Sequence, residues 1–347
     1  MTHNRPRPRP RRPANTNDTP GPEKPYALVP FPQKAPSLQH PVGHDRYRRD
    51  RLHGKLVLTL TVKTAVHVST GIVAMGTDVG ARIPLIKTMA EGKQRQLTIP
   101  GSSLKGVVRS AYEAVTNSTL AVATNKYKSK MPKERLPCRN KEKLCPASLV
   151  FGALDWQGLI HFTDATCAGK KPATGFMPSL YRPRPEERED YFSSRNTAAG
   201  RKFYYNTVKA VSGGDKGIPM QQAGTEYVFK TTLHFSNLSW AELGTLLVVL
   251  GQDQHHPMAL KVGGGKPIGM GTMTVSVEAL EQPQSLEQRY SRYSLPESNH
   301  ITGKALATVI EKAITSAHKS LVEKPQLEAL ANILSWPTDR TAPEGMY

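Results

Sequence analysis

Apolar and polar residues alternate along several stretches of the chain, and each such stretch predicts a strand. Leu56, Leu58, Leu60 and Val62 alternate with Val57, Thr59 and Thr61, the pattern of a strand with one strongly buried face. Tyr227 to Phe235 alternates in the same way. Gly158–Ala165 reads as a turn and a buried strand, and Thr272–Val277 as another strand. Elsewhere the spacing lengthens to three and four. Leu104, Val107, Val108, Ala111 and Val115 mark one helix, and Ser239-Trp-Ala-Glu242 is a capping box ahead of Leu243, Leu246, Leu247 and Leu250. A third apolar stripe, Leu306 to Leu321, predicts a helix over 302–322, and a fourth helix spans about 326–335. The order is strand, long loop, helix, insertion, strand, insertion, strand, helix, Gly-rich loop, strand, helices. That order predicts an α+β fold: a ferredoxin-like, RRM-like antiparallel sheet with helices, large loop insertions and a C-terminal helical extension. The expected boundaries are a basic, Pro-rich disordered tail (1–23), an extended strap (24–54), the sheet domain (55–281) with insertions at 71–96, 120–147 and 169–225, and the helical extension (282–347).

Charge narrows the function. The net charge is +19 over 347 residues. The Arg-Pro repeats of residues 5–13 account for only part of it, so the folded part is basic in its own right and suits a polyanionic partner. A ribosomal or membrane-surface role fits the same number. No apolar run is long enough for a transmembrane helix, and the Arg- and Pro-rich start is not a secretory signal. Three cysteines make no disulfide framework and suit a reducing, cytoplasmic setting.

Four places carry candidate chemistry. Ser102 and Ser103 stand where a helix N-cap belongs, and Lys105 and Arg109 share a helix face. The free N–H groups of that first turn, the hydroxyls and the cations can hold a phosphate, or the segment is an ordinary capped helix with a solvated basic face. Gly106 inside this helix suggests the close approach of another group. In Lys261–Gly271, Gly263, Gly264 and Gly265 beside Lys266 let backbone N–H groups converge on an anion; a strand follows, so this is neither a P-loop nor a dinucleotide fingerprint. Arg201, Lys202 and Tyr204 lie in a run of cations and aromatics that suits phosphates and stacked bases, or the edge of a plain strand. Cys138 and Cys145 have the wrong spacing for a zinc knuckle. Zinc there needs partners such as His44, His53 or His161, and unpaired reduced thiols are the expectation. His67 reads as a packed histidine, and Asp164 as a structural cap.

Ile99-Pro-Gly-Ser-Ser-Leu-Lys-Gly-Val-Val-Arg109 resembles the signature of the RAMP superfamily of CRISPR proteins. Val262–Gly271 resembles its second signature, and Phe151-Gly152 with Phe162-Thr-Asp-Ala165 resembles the block between them. Gly200–Tyr205 and Pro25–Pro32 are similar to features of backbone-type subunits of type III systems, particularly the III-D group. The resemblance covers residues 25–280. It implies an RRM-like subunit that stacks along a guide RNA, holds it for pairing with target RNA, and works with other CRISPR effector subunits rather than as an isolated monomer. It also implies that Ser102, Ser103, Lys105 and Arg109 grip guide phosphates and that Arg201, Lys202 and the nearby tyrosines belong to a protruding hairpin. Backbone subunits that cut target RNA place an Asp in the loop before the signature helix, and the cleavage depends on a metal such as Mg2+. Here Arg82 stands near that place, and Asp78, four residues earlier, is the candidate. Asp78 is read either as the catalytic group or as a turn residue, so the chain is either a metal-dependent endoribonuclease or a scaffold. Two other functions stay open: a stand-alone RAMP-type endoribonuclease that processes CRISPR precursor RNA with a histidine such as His67, and a generic basic RNA-binding protein.

Overall fold

The predicted alternation at 56–62 is the centre of the molecule. The structure, a computed structural model, describes residues 25–180, 191–193, 196–283, 291, 293 and 299–343; the Arg-Pro tail lies outside them. Strand β1 spans Tyr26–Pro30 and β2 spans Leu52–Val62. Leu56, Leu58, Leu60 and Val62 of β2 are buried, and Lys55, Val57, Thr59 and Thr61 face the other side of the sheet. A hairpin follows, β3 (Ser69–Met75) and β4 (Leu85–Met89), then β5 (Leu97–Ile99). Helix α1 (Gly101–Val115) is succeeded by the short α2 (Pro146–Phe151). Six short strands come next: β6 (Gly152–Ala153), β7 (Trp156–Gln157), β8 (Ile160–Phe162), β9 (Ala165–Cys167), β10 (Ala173–Met177) and β11 (Gly200–Tyr204). The body closes with β12 (Ile218–Gln222), β13 (Val228–Leu238), α3 (Trp240–Val249), β14 (Leu260–Lys261) and β15 (Thr272–Gln282). Strand β16 (Asn299–Ile301) and helices α4 (Gly303–Ser320) and α5 (Lys324–Leu334) form the extension.

The main sheet has the order β14-β15-β2-β13-β9-β5, with β16 on β15 and β8 on β13. Its pairings are antiparallel. The buried side of β2, Phe229 and Leu233 of β13, and Leu104, Val108 and Tyr112 of α1 form one core with Leu243, Leu246 and Leu247 of α3. This is the expected α+β, RRM-like arrangement. Strand β15 runs five residues past the predicted Val277. A bulge between Val277 and Ala279 shifts the alternation there, so the sequence period ends before the strand does.

The insertions differ from their reading as loops. Residues 71–96 contain most of the β3–β4 hairpin, and 169–225 contain β10, β11 and β12. All of these but β11 join in one four-stranded sheet, order β10-β12-β4-β3, closed by a parallel pairing of Met220 with Lys87. Strands β3 and β4 leave Ile72, Val73, Met75 and Leu85 exposed, and without an alternation of buried and exposed positions the hairpin does not signal itself in sequence. Strand β1 pairs antiparallel with β11, Tyr26 opposite Tyr204.

The capping box of α3 forms as predicted: Ser239 accepts from the Glu242 N–H, and the Glu242 side chain accepts from the Ser239 N–H. Helix α4 crosses α3 at Gly244. A Cβ there would stand 1.9 Å from the Ala313 carbonyl oxygen, so only glycine allows this approach. Gly244→Ala is expected to cost about 3 kcal/mol by forcing the helices apart, read as a fall in the denaturant midpoint. An unchanged midpoint would show that α4 does not sit against α3.

Candidate nucleic-acid interface

Helix α1 presents its first turn differently from the sequence expectation. Pro100 is the capping position, so Ser102 and Ser103 are inside the first turn rather than at the cap. The anion at this N-terminus is the protein's own: the Gly101 N–H donates to the Asp164 carboxylate at 2.8 Å, as expected of a structural cap. Ser102 is exposed and Ser103 half-buried. Lys105 donates to the Ile160 carbonyl at 3.2 Å. Burial, and then the charge of Arg109, lower its pKa from the usual ammonium value. A Cβ on Gly106 would meet nothing within 4 Å, so this glycine faces open space and not a neighbouring element.

The two expected arginines turn inward. Arg109 Nε donates to Glu113 at 2.8 Å, and Arg201 donates to the other Glu113 oxygen at 2.7 Å. Arg201 also donates to the carbonyls of Ser118 and Thr119. The Glu113 side chain is only 5% exposed and that of Arg201 9%. Burial outweighs the two guanidinium groups and holds the Glu113 carboxyl above its ordinary pKa, while burial lowers that of Arg201. A buried carboxylate needs such partners, so both arginines are engaged by the protein's own Glu113. The signal was the Arg109–Glu113 spacing of four, which the apolar stripe overshadowed.

Lys202 and Tyr204 pack on one another. The Lys202 ammonium lies 4.6 Å from the Tyr204 ring centre and 3.8 Å from that of Tyr26, and it donates to the Tyr191 hydroxyl at 2.8 Å. The aromatics expected to stack bases hold the protein's own cation.

The glycine loop likewise meets the protein's own backbone. Gly263 has φ +79°, and a Cβ there would stand 2.4 Å from the His67 carbonyl. The Gly264 N–H donates to that carbonyl at 2.9 Å. Gly265 also has positive φ, at +68°. Lys266 borders a depression with Tyr205, Thr207 and Arg340, and burial lowers its pKa. Lys261 is buried and donates to the Gly269 carbonyl and the Thr272 hydroxyl, both at 3.1 Å. Burial, reinforced by the charge of Lys266, brings its pKa down to about 7. The unfolded chain, with its ordinary lysine pKa, therefore binds more protons between about pH 7 and 10, and stability rises with pH in that window by up to about 1 kcal/mol per unit. Lys261→Met is expected to flatten this slope, measured as melting temperature from pH 7 to 9; a slope that survives the substitution would place its origin elsewhere.

What the sequence did not show is a row of titratable residues across the open side of the main sheet. His161 on β8 pairs with His234 on β13, His234 with Lys55 on β2, Lys55 with Glu281 on β15, and Glu281 with His300 on β16. The Lys55 ammonium lies 2.7 Å from the Glu281 carboxylate. The His161 and His234 rings are 6.3 Å apart. Burial and the nearby Lys55 lower the His234 pKa. The row borders an open depression of about 720 Å³, lined also by His44, Tyr47, His53 and Lys105. Each histidine occupies a polar position of an alternating strand, so the row becomes legible only once the register is known.

The family model of the RAMP superfamily matches residues 59–274. The chain belongs to the RAMP superfamily. A search of curated proteins finds no match to it. RAMP membership carries a CRISPR-associated, RNA-binding function, and the matched region of this RAMP protein contains α1, the glycine loop, His161 and His234. Among the described residues no helix is long and apolar enough to cross a membrane.

The remaining candidates of this RAMP protein sit apart. Asp78 is exposed in a single helical turn, Gly76–Val79, at the tip of the β3–β4 hairpin. His67 is buried and bonded through Nδ1 to the Gln221 carbonyl at 2.7 Å. Cys138 and Cys145 are free thiols that share the Thr119 hydroxyl, at 3.5 and 3.2 Å. Hydrogen bonding with Cys138, Ser148 and Thr119 draws the buried Cys145 thiol well below its usual pKa. The histidines considered as zinc partners for them, His44, His53 and His161, line the depression instead.

Proposed function

We propose that this chain is the guide-RNA-binding backbone subunit of a type III RNA-guided complex, holding the guide for pairing with target RNA. The observation that carries the reading is the meeting of Lys105, from the signature helix, with Lys55, His161 and His234 at one depression on the open side of the sheet. Ser102 and Ser103 add hydroxyl donors one turn away, and the open space at Gly106 lets a sugar–phosphate chain approach. Lys266, at the far end of β2, supplies a second basic point. Sequence reading then belongs to base pairing, while the protein holds backbone. The exposed apolar residues of β3 and β4 suit contacts with other subunits of the complex.

Target cleavage is the second half of the proposal. Asp78 is an exposed carboxylate, and Mg2+ is commonly held by one or two carboxylates with substrate phosphates and water, so the residue fits that ion when RNA supplies the other oxygens. A separate observation favours a processing activity: His161 and His234 are exposed, side by side, and close to Lys105. Partial burial and the nearby Lys55 lower the His234 pKa, which suits it to take the proton of a ribose 2′-hydroxyl while His161 serves the departing 5′-oxygen. One experiment separates these readings. The assembled complex with guide and matched target, and separately the protein with precursor RNA, are assayed with Mg2+ and with EDTA for wild type, Asp78→Ala, and His161→Ala/His234→Ala. Loss of a target cut in Asp78→Ala with RNA binding intact makes the subunit a metal-dependent nuclease. An EDTA-resistant cut of precursor RNA lost in the histidine pair makes it a processing enzyme. Unchanged cuts in both leave it a scaffold.

A further inference from the structure

A second cluster lies away from the open sheet. Asp253 follows α3, and its side chain is 2% exposed. One carboxylate oxygen accepts from the His255 N–H at 3.0 Å. The other faces His256 Nδ1 at 2.9 Å and His318 Nε2 at 2.8 Å. The three ligand atoms all lie within 4.8 Å of one another. His318 comes from α4, outside the region that matches the family, while Asp253 and His256 lie inside it. Two imidazole nitrogens and a carboxylate oxygen, from two elements, thus converge on one point. The carboxylate is oriented by its backbone bond, and the crossing at Gly244 fixes α4 five residues before His318 through Ala313. The imidazoles are 21% and 34% exposed, so the open side of the point faces water.

Two histidines, one carboxylate and a water make a tetrahedral zinc set. Mg2+ and Ca2+ prefer shells made of oxygen. We propose that Asp253, His256 and His318 bind one zinc ion, with water as the fourth ligand, and that this ion staples α4 to the turn after α3. The site is independent of Cys138 and Cys145, and of the RNA interface.

The test uses untagged full-length protein equilibrated with zinc chloride, desalted, and assayed for zinc by mass spectrometry. A parallel sample is titrated with cobalt(II). The expected result is about one zinc per chain, cobalt absorption of tetrahedral intensity, and a melting temperature that falls when EDTA removes the ion. His318→Ala should bring zinc to the blank level and abolish the EDTA effect. His318→Cys should keep the metal and add a thiolate-to-cobalt charge-transfer band, a gain that unfolding cannot imitate. Cys145→Ser should keep zinc. A wild-type protein without zinc, or zinc that survives His318→Ala and disappears in Cys145→Ser, overturns the proposal.

Discussion

Glu113→Ala is expected to lower stability by about 3–5 kcal/mol, because it leaves two inward-facing guanidinium groups without their carboxylate. Arg201 is the one that suffers. Its side chain is 9% exposed, and water cannot replace what Glu113 supplied. Arg109, at 18% exposed, can turn outward at lower cost. The pKa directions of Glu113 and Arg201 both say that burial opposes their charges. A matched apolar replacement of both, Glu113→Leu with Arg201→Met, should therefore recover most of the loss. Chemical denaturation of the two variants checks the contrast. If Glu113→Ala were no less stable than wild type, the arginines would not depend on Glu113 and would be available to phosphates.

Lys105→Glu is expected to weaken guide RNA binding by about 100-fold near physiological salt while leaving the fold intact. The substitution removes one cation from the depression and puts an anion where a phosphate would lie. The neutral variant Lys105→Met should weaken binding less and reduce the slope of log affinity against log salt by about one. Arg109→Gln gives the comparison: it should reduce stability and barely change the salt slope. Filter binding across a salt series measures all three. An unchanged slope in Lys105→Met would move the interface away from α1.

These contrasts also mark how far the sequence could be read. The strand at 56–62, the helix at 104–115 and the capping box at Ser239 were legible because local periodicity and capping chemistry decide them. The Pro-Gly-Ser-Ser-Leu-Lys run located the signature helix and Lys105. Arg201 and Lys202 could not be assigned from local pattern, because Glu113 lies 88 residues from Arg201 and the Tyr26 ring arrives from the strap. The row His161–His234–Lys55 was invisible for the same reason: it exists only across strands, through register. The sheet made by two insertions needed the Met220–Lys87 pairing, which neither stretch announces alone. His67 is packed and Asp164 caps a helix, as their sequence context predicts, although His67 lies in the link between β2 and β3 and not in the strand itself.

The crossing of α3 and α4 has a consequence for how the chain is made. From Glu242 to Val249 every residue of α3 is buried, and part of its cover is α4, which starts only at Gly303. Translation at 5–20 residues per second takes roughly 3–10 s to cross that gap. During that interval the nascent chain carries an apolar helix without its lid, in a cell where the same chain is being made on neighbouring ribosomes. A pause in synthesis after residue 249 would prolong this exposure, and a chain released before Gly303 would never end it.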